Sequence, residues 1–153
     1  MTPHPASSEI RRRSMLCAIP LGIGLMAAVD EILFHQILQW HHFFDRATPA
    51  IGVLSDGLLH AGELFATVFG AIMLIRLARA GRLAVRQAWA GGLLGAGGFQ
   101  LFDGIISHKV LRIHQIRYDV DLLWYDLSWN GIAVLLILAG LMVWRRGQPT
   151  GGG

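Results

Sequence analysis

Val29-Asp-Glu-Ile-Leu-Phe-His-Gln-Ile-Leu-Gln-Trp-His-His42 sets two carboxylates and three histidines at the end of a long apolar run. The stretch before it, Met15 to Val29, holds no charged residue. A thinner copy, Phe102-Asp-Gly-Ile-Ile-Ser-His-Lys-Val-Leu-Arg-Ile-His-Gln115, follows 73 residues later. Both contain Asp-x4-His-x5-His, as Asp30/His35/His41 and Asp103/His108/His114. Ionisable groups at membrane depth are costly and mark function. The reading of the chain therefore turns on whether these runs cross a bilayer.

The composition says that they do. At 54% hydrophobic and 15% charged, with mean hydropathy +0.50, the 153-residue chain is too apolar for a soluble domain. Its length suits one domain. The net charge of +3 comes from arginines, beside a single lysine, and they cluster between apolar runs. That is a topology signal rather than a nucleic-acid one, and no nucleic-acid partner is expected. The lone Cys17 excludes an intrachain disulfide and a thiolate-rich metal site.

Residues 1–13 read as a disordered cytoplasmic tail ending in Arg11-Arg12-Arg13. Arginines before an apolar run also describe a signal peptide. The helical pattern, however, continues to Trp40 and recurs downstream, so residues 14–42 read as a first span, kinked at Pro20. A loop over 43–54 leads to a second span over 55–75. Arg76, Arg79, Arg82 and Arg86 then precede a third, 87–108. That span carries Gly91, Gly92, Gly95, Gly97 and Gly98, small residues that let helices approach closely in lipid. A mixed-charge connection, 109–122, with room for a short interfacial helix, leads to a fourth span, 123–144. Arg145-Arg146 closes it, and 147–153 reads as a flexible tail.

Nine arginines then lie on one side of the membrane, with Arg46, Lys109, Arg112 and Arg117 on the other. The positive-inside rule predicts an all-α protein of the bacterial inner membrane with four transmembrane helices and both termini cytoplasmic. Residues 14–146 form its single domain. Asp56-x3-His60 aligns with Asp126-x3-Asn130, so each half reads as a copy of one helical hairpin. Duplicated halves place equivalent residues around a shared axis.

At a rise of ~1.5 Å per residue, Asp30 and Asp103 stand ~25 Å from the inner arginines, and His35 and His108 ~33 Å. Glu63, His60, Asp56, Asn130 and Asp126 fall between ~20 and ~30 Å by the same measure. All four spans thus carry their polar groups in the outer half of a core ~30 Å thick. On α-helical geometry Glu31 and His35 share a face, as do Asp56, His60 and Glu63. The five-residue step from Asp30 to His35, or Asp103 to His108, turns ~140° and separates each pair.

Glu31, His35, Asp56, His60, Glu63 and His108 are therefore the candidate metal ligands, with Asp103 at the same depth. Asp30, Asp103 and Asp126 suit the orienting of a histidine on a neighbouring helix. Asn130 stands at the His60 position of the second half, and His41, His42 and His114 fall near the aqueous boundary, exposed or at a metal entrance. Imidazoles and carboxylates without thiolate suit copper, iron or zinc. Metal handling or metal-dependent redox chemistry follows. A proton or ion relay would use the same groups, haem b would bridge His35 and His108, and a structural polar network would need no ligand. No nucleophile constellation stands out, so no catalytic residue is assigned. Besides lipid, a second copy of the chain or a respiratory complex is the partner such a protein suggests.

The motifs at 30–42, Ser-Asp-Gly-Leu-Leu-His-Ala (55–61) and Phe-Asp-Gly-Ile-Ile-Ser-His-Lys (102–109) resemble a family of bacterial predicted membrane proteins, domain of unknown function 2243. The resemblance covers about residues 14–145 and implies a four-helix inner-membrane protein without implying an activity. The family form at the first motif looks like Asp-Gly; here it is Asp30-Glu31, which makes Glu31 a feature of this chain.

Overall fold

The computed structural model describes residues 5–146, which are helical with no strand among them. Helix α1 (Pro5–Asp30) runs on into a π-helical segment, Glu31–Ile37. Helix α2 spans Pro49–Arg79. Helix α3 (Val85–Phe102) runs into a second π-helical segment, Asp103–Val110, and α4 spans Leu122–Arg146. Three stretches, Ser7–Ile37, Pro49–Arg79 and Leu122–Arg146, are long and apolar enough to cross a membrane.

All four helices start before the spans read from sequence, two of them by several residues. Most of the expected disordered tail is helical, because α1 begins at Pro5. A proline in the first turn has no N–H to waste, and Glu9 pairs with Arg12 and Arg13 one turn on. The tail expected over 147–153 lies outside the described residues. Residues 49–54, expected as loop, are the first turns of α2. Thr48 Oγ1 there accepts from the Ile51 N–H, and Pro49 takes the first helical position. Beyond Val110, no interfacial helix interrupts the irregular chain that leads to α4.

Helices α1 and α3 form the central pair, with α2 packed on α1 and α4 on α3. Backbones meet along the central pair. A Cβ on Gly91 or Gly95 would stand 2.1 and 2.2 Å from the carbonyl oxygens of Met15 and Ile19, and one on Gly22 would stand 2.0 Å from that of Gly92. Only glycine fits there. The packing is inverted relative to a soluble protein. Its buried apolar residues are mostly small (Ala18, Ala27, Ala90, Ala133), whereas Phe65, Leu58 and Leu135 point outward. Lipid, not a protein core, is the solvent such a surface fits.

One end of the molecule is basic. There Arg86 donates to the Arg146 carbonyl (3.0 Å), and the Ala84 N–H to Ser14 Oγ (2.9 Å). At the opposite, histidine-rich end the two irregular connections meet, the Asp45 N–H donating to the Ile113 carbonyl at 2.9 Å.

Candidate metal centre

The site is built by a change of helix type. In a π-helix the backbone hydrogen bond closes over five residues, as from the Leu38 N–H to Leu33 O (2.9 Å) and from the Leu111 N–H to Ile106 O (2.8 Å). Positions five apart then share a face, and the ~140° separation expected of an α-helix disappears. Asp103 Oδ2 lies 3.1 Å from His108 Nε2, and Asp30 Oδ2 lies 3.8 Å from His35 Nε2. Each aspartate addresses a histidine of its own helix, not of a neighbour.

Beyond each π-helical segment the chain doubles back. The Trp40 N–H reaches Phe34 O and the Ile113 N–H reaches Ser107 O. Gln39 and Arg112 adopt φ of 51° and 52°, the left-handed region. The return folds His41 and His114 inward, so both are buried instead of lying at the aqueous boundary. His41 Nδ1 donates to the Ile116 carbonyl (2.9 Å), and His114 Nδ1 to the Phe43 carbonyl (2.8 Å). The two rings stack at 4.7 Å with 5° between their planes. His35 meets His41 edge-on at 4.4 Å, and His108 meets His114 at 4.7 Å.

These bonds fix the tautomers. A carbonyl oxygen only accepts, so the proton of each neutral ring sits on Nδ1 and the lone pair on Nε2. Both Nε2 atoms are buried without a hydrogen-bond partner among the described residues. His114 Nε2 faces Asp103 Oδ1 at 3.4 Å, an acceptor opposite an acceptor. Burial, and then the rings of His35, His114 and His108, push His41 down to about 2, which keeps it neutral and free to ligate. Ligand atoms of His41, His108 and His114 lie within 4.8 Å of one another, as do those of Asp30, His35 and His41. Donors of this kind at this spacing fit a transition-metal ion.

The two hairpins differ around this centre. In the first, Glu31, His35 and Asp56 form another such group. The second has Gly104 in place of Glu31, where a Cβ would stand 2.5 Å from Asn130 Oδ1. Lys109 Nζ there pairs with Asp126 at 2.5 Å. Asn130 donates to the Asp126 carbonyl. On α2, Glu63 is buried and pairs with His60 at 2.6 Å, but the His60 side chain is 58% exposed and joins none of these groups.

The family described as predicted membrane protein (DUF2243) matches residues 17–147. The chain belongs to that family. No curated protein and no solved structure matches the chain. The family match takes in both histidine motifs and the connections that bury them. From the sequence alone Asp30 matches Asp103 in depth and His35 matches His108, whereas His41 and His114 fall near the aqueous boundary. Their signal was in the repeat itself: the third position of Asp-x4-His-x5-His recurs as faithfully as the first two.

Proposed function

We propose that this chain is a transition-metal protein of the bacterial inner membrane, holding an ion among His35, His41, His108, His114, Asp30 and Asp103. One observation carries the reading. Carbonyls of the opposite connections fix the protons of His41 and His114 on Nδ1, leaving two buried Nε2 lone pairs without a donor, that of His114 beside the Asp103 carboxylate. Copper, iron or zinc accepts imidazole and carboxylate together and offsets the charge of the buried carboxylates. The ion serves metal handling or metal-dependent redox chemistry. Haem b fits less well. The rings of His35, His41, His114 and His108 follow one another at 4.4, 4.7 and 4.7 Å, and a porphyrin joining the outer two would displace the middle pair.

In this reading the chain spans the membrane four times, α3 and its π-helical segment forming the third span beside the three long apolar stretches. Nine arginines hold the basic end, with both termini, in the cytoplasm. The hairpins are duplicated halves. Support comes from features that recur 73 residues apart: the π-helical segments, the positive φ of Gln39 and Arg112, and the exchanged carbonyl bonds.

Elemental analysis of the detergent-purified chain tests the proposal. A stoichiometric transition metal is expected in the wild type and not in the His41→Ala/His114→Ala double variant. A wild type without one overturns the metal reading. Proton flux in metal-free proteoliposomes, abolished by Asp103→Asn, would give these contacts to a proton relay instead.

A further inference from the structure

We infer that the first hairpin adds a second metal ion, held by Glu31, Asp56 and Nδ1 of His35, so that the His35 ring bridges two ions. The inference rests on the central site proposed above.

His35 addresses the two groups through opposite nitrogens. Nε2 faces Asp30, whereas Nδ1 lies 2.9 Å from both Asp56 Oδ1 and Glu31 Oε2. A single N–H serves one of those oxygens, and it serves Asp56. Glu31 Oε2 is then buried with no hydrogen-bond partner among the described residues. A divalent cation in place of that proton satisfies both carboxylates at once. Asp56 is pre-set for the task by the Phe43 N–H (2.7 Å) and His42 (2.6 Å).

The second hairpin indicates what the first lacks. At the position equivalent to Gln36 it has Lys109, whose ammonium group neutralises Asp126. In the first hairpin Asp30, Glu31, Asp56 and Glu63 are all buried, and no lysine or arginine pairs with any of them among the described residues. Buried carboxylates without a cation are strongly unfavourable. The second hairpin sets a cation of the chain beside Asp126; Asp56, its counterpart in the first, takes one from solution. A cavity of about 740 Å³ at the histidine-rich end, lined by His35, Gln36, His42 and Asp56, gives the ion its way in. On binding, His35 releases its remaining N–H proton to the water of that cavity, and each ring nitrogen then gives a lone pair to one ion.

Zinc titration of the chelator-treated full chain in detergent, read by elemental analysis after gel filtration, tests this. Two zinc ions are expected per wild-type chain, and one in Glu31→Gly or Asp56→Asn. One zinc in the wild type overturns the second ion and leaves the central site standing. Two zinc ions in both variants overturn the assignment of residues. No zinc in the wild type removes the central site and this one with it. The wild type alone gives an independent check. Loaded with copper(II), a ring-bridged pair is exchange-coupled, and its paramagnetic resonance signal counts well below two spins per chain. Two fully counted, uncoupled spins overturn the bridge.

Discussion

The two hairpins share a frame and differ in what surrounds it. Each has a π-helical segment, a residue at positive φ and a returning histidine bonded to the other's connection. Around that frame the first hairpin has Glu31, Gln36 and a polar cavity, and the second has Gly104, Lys109 and a close approach of α4. The shared features position the central rings. The differing ones set charge: one half is acidic beside a polar cavity, the other carries its own ammonium group.

The largest effect tests whether the centre is shared equally. His41→Ala and His114→Ala are expected to weaken metal binding alike, by more than the ~10–100-fold lost with a merely supporting group. Isothermal titration of each variant checks it, and a loss confined to one breaks the equivalence. Next comes Gly104→Glu, which gives the second hairpin the residue of the first. Its Cβ would stand 2.5 Å from Asn130 Oδ1 and 2.7 Å from Trp129 Cδ1. The expected loss is ~1–3 kcal/mol, seen in thermal unfolding in detergent.

Acid provides a smaller perturbation. His41 sits at about 2 in the folded chain, held down by burial and the neighbouring rings, against ~6.5 for an unfolded histidine. Below that value the unfolded chain takes up a proton that the fold refuses, so the metal-free protein loses stability as pH falls from 7 toward 4. Melting curves of wild type and His41→Phe across that range should show the variant with the shallower slope. The smallest effect is expected from Lys109→Gln. Lys109 is 41% exposed, and such pairs contribute ~0–1 kcal/mol. A larger fall in melting temperature would mean that the closed half depends on its ion pair.

Much of this was legible in the sequence. The apolar runs, the arginine clusters and the common layer of the ionisable groups follow from one-dimensional spacing, as does the close approach at the glycines of α3, though not that α1 is the helix approached. The angular reading holds for Glu31 and His35, 2.9 Å apart, and fails for the five-residue steps because it assumes 3.6 residues per turn where the chain adopts a π-helix. Asp30 and His35 were therefore set apart, although a five-residue step is the π-helical repeat and occurs twice. His41 and His114 were misplaced for another reason. Whether a chain leaves a helix toward water or doubles back depends on tertiary bonds, here to Ile116 and Phe43, and no local propensity encodes those. His60 misled in the opposite sense: it stands between the buried Asp56 and Glu63 on the same stripe, yet the rotation of α2 turns it outward.

The exchanged bonds of His41 and His114 bear on how the molecule matures. The first hairpin is synthesised before the second, and until the second connection arrives its His41 has no carbonyl to hold the ring. His114 in turn waits on a carbonyl made earlier. Neither half encloses the ring cluster by itself, so a nascent chain has no finished trap for an ion. On the metal reading proposed above, loading would follow the assembly of both hairpins, and two hairpins produced as separate polypeptides would report their own reassembly by the metal they acquire.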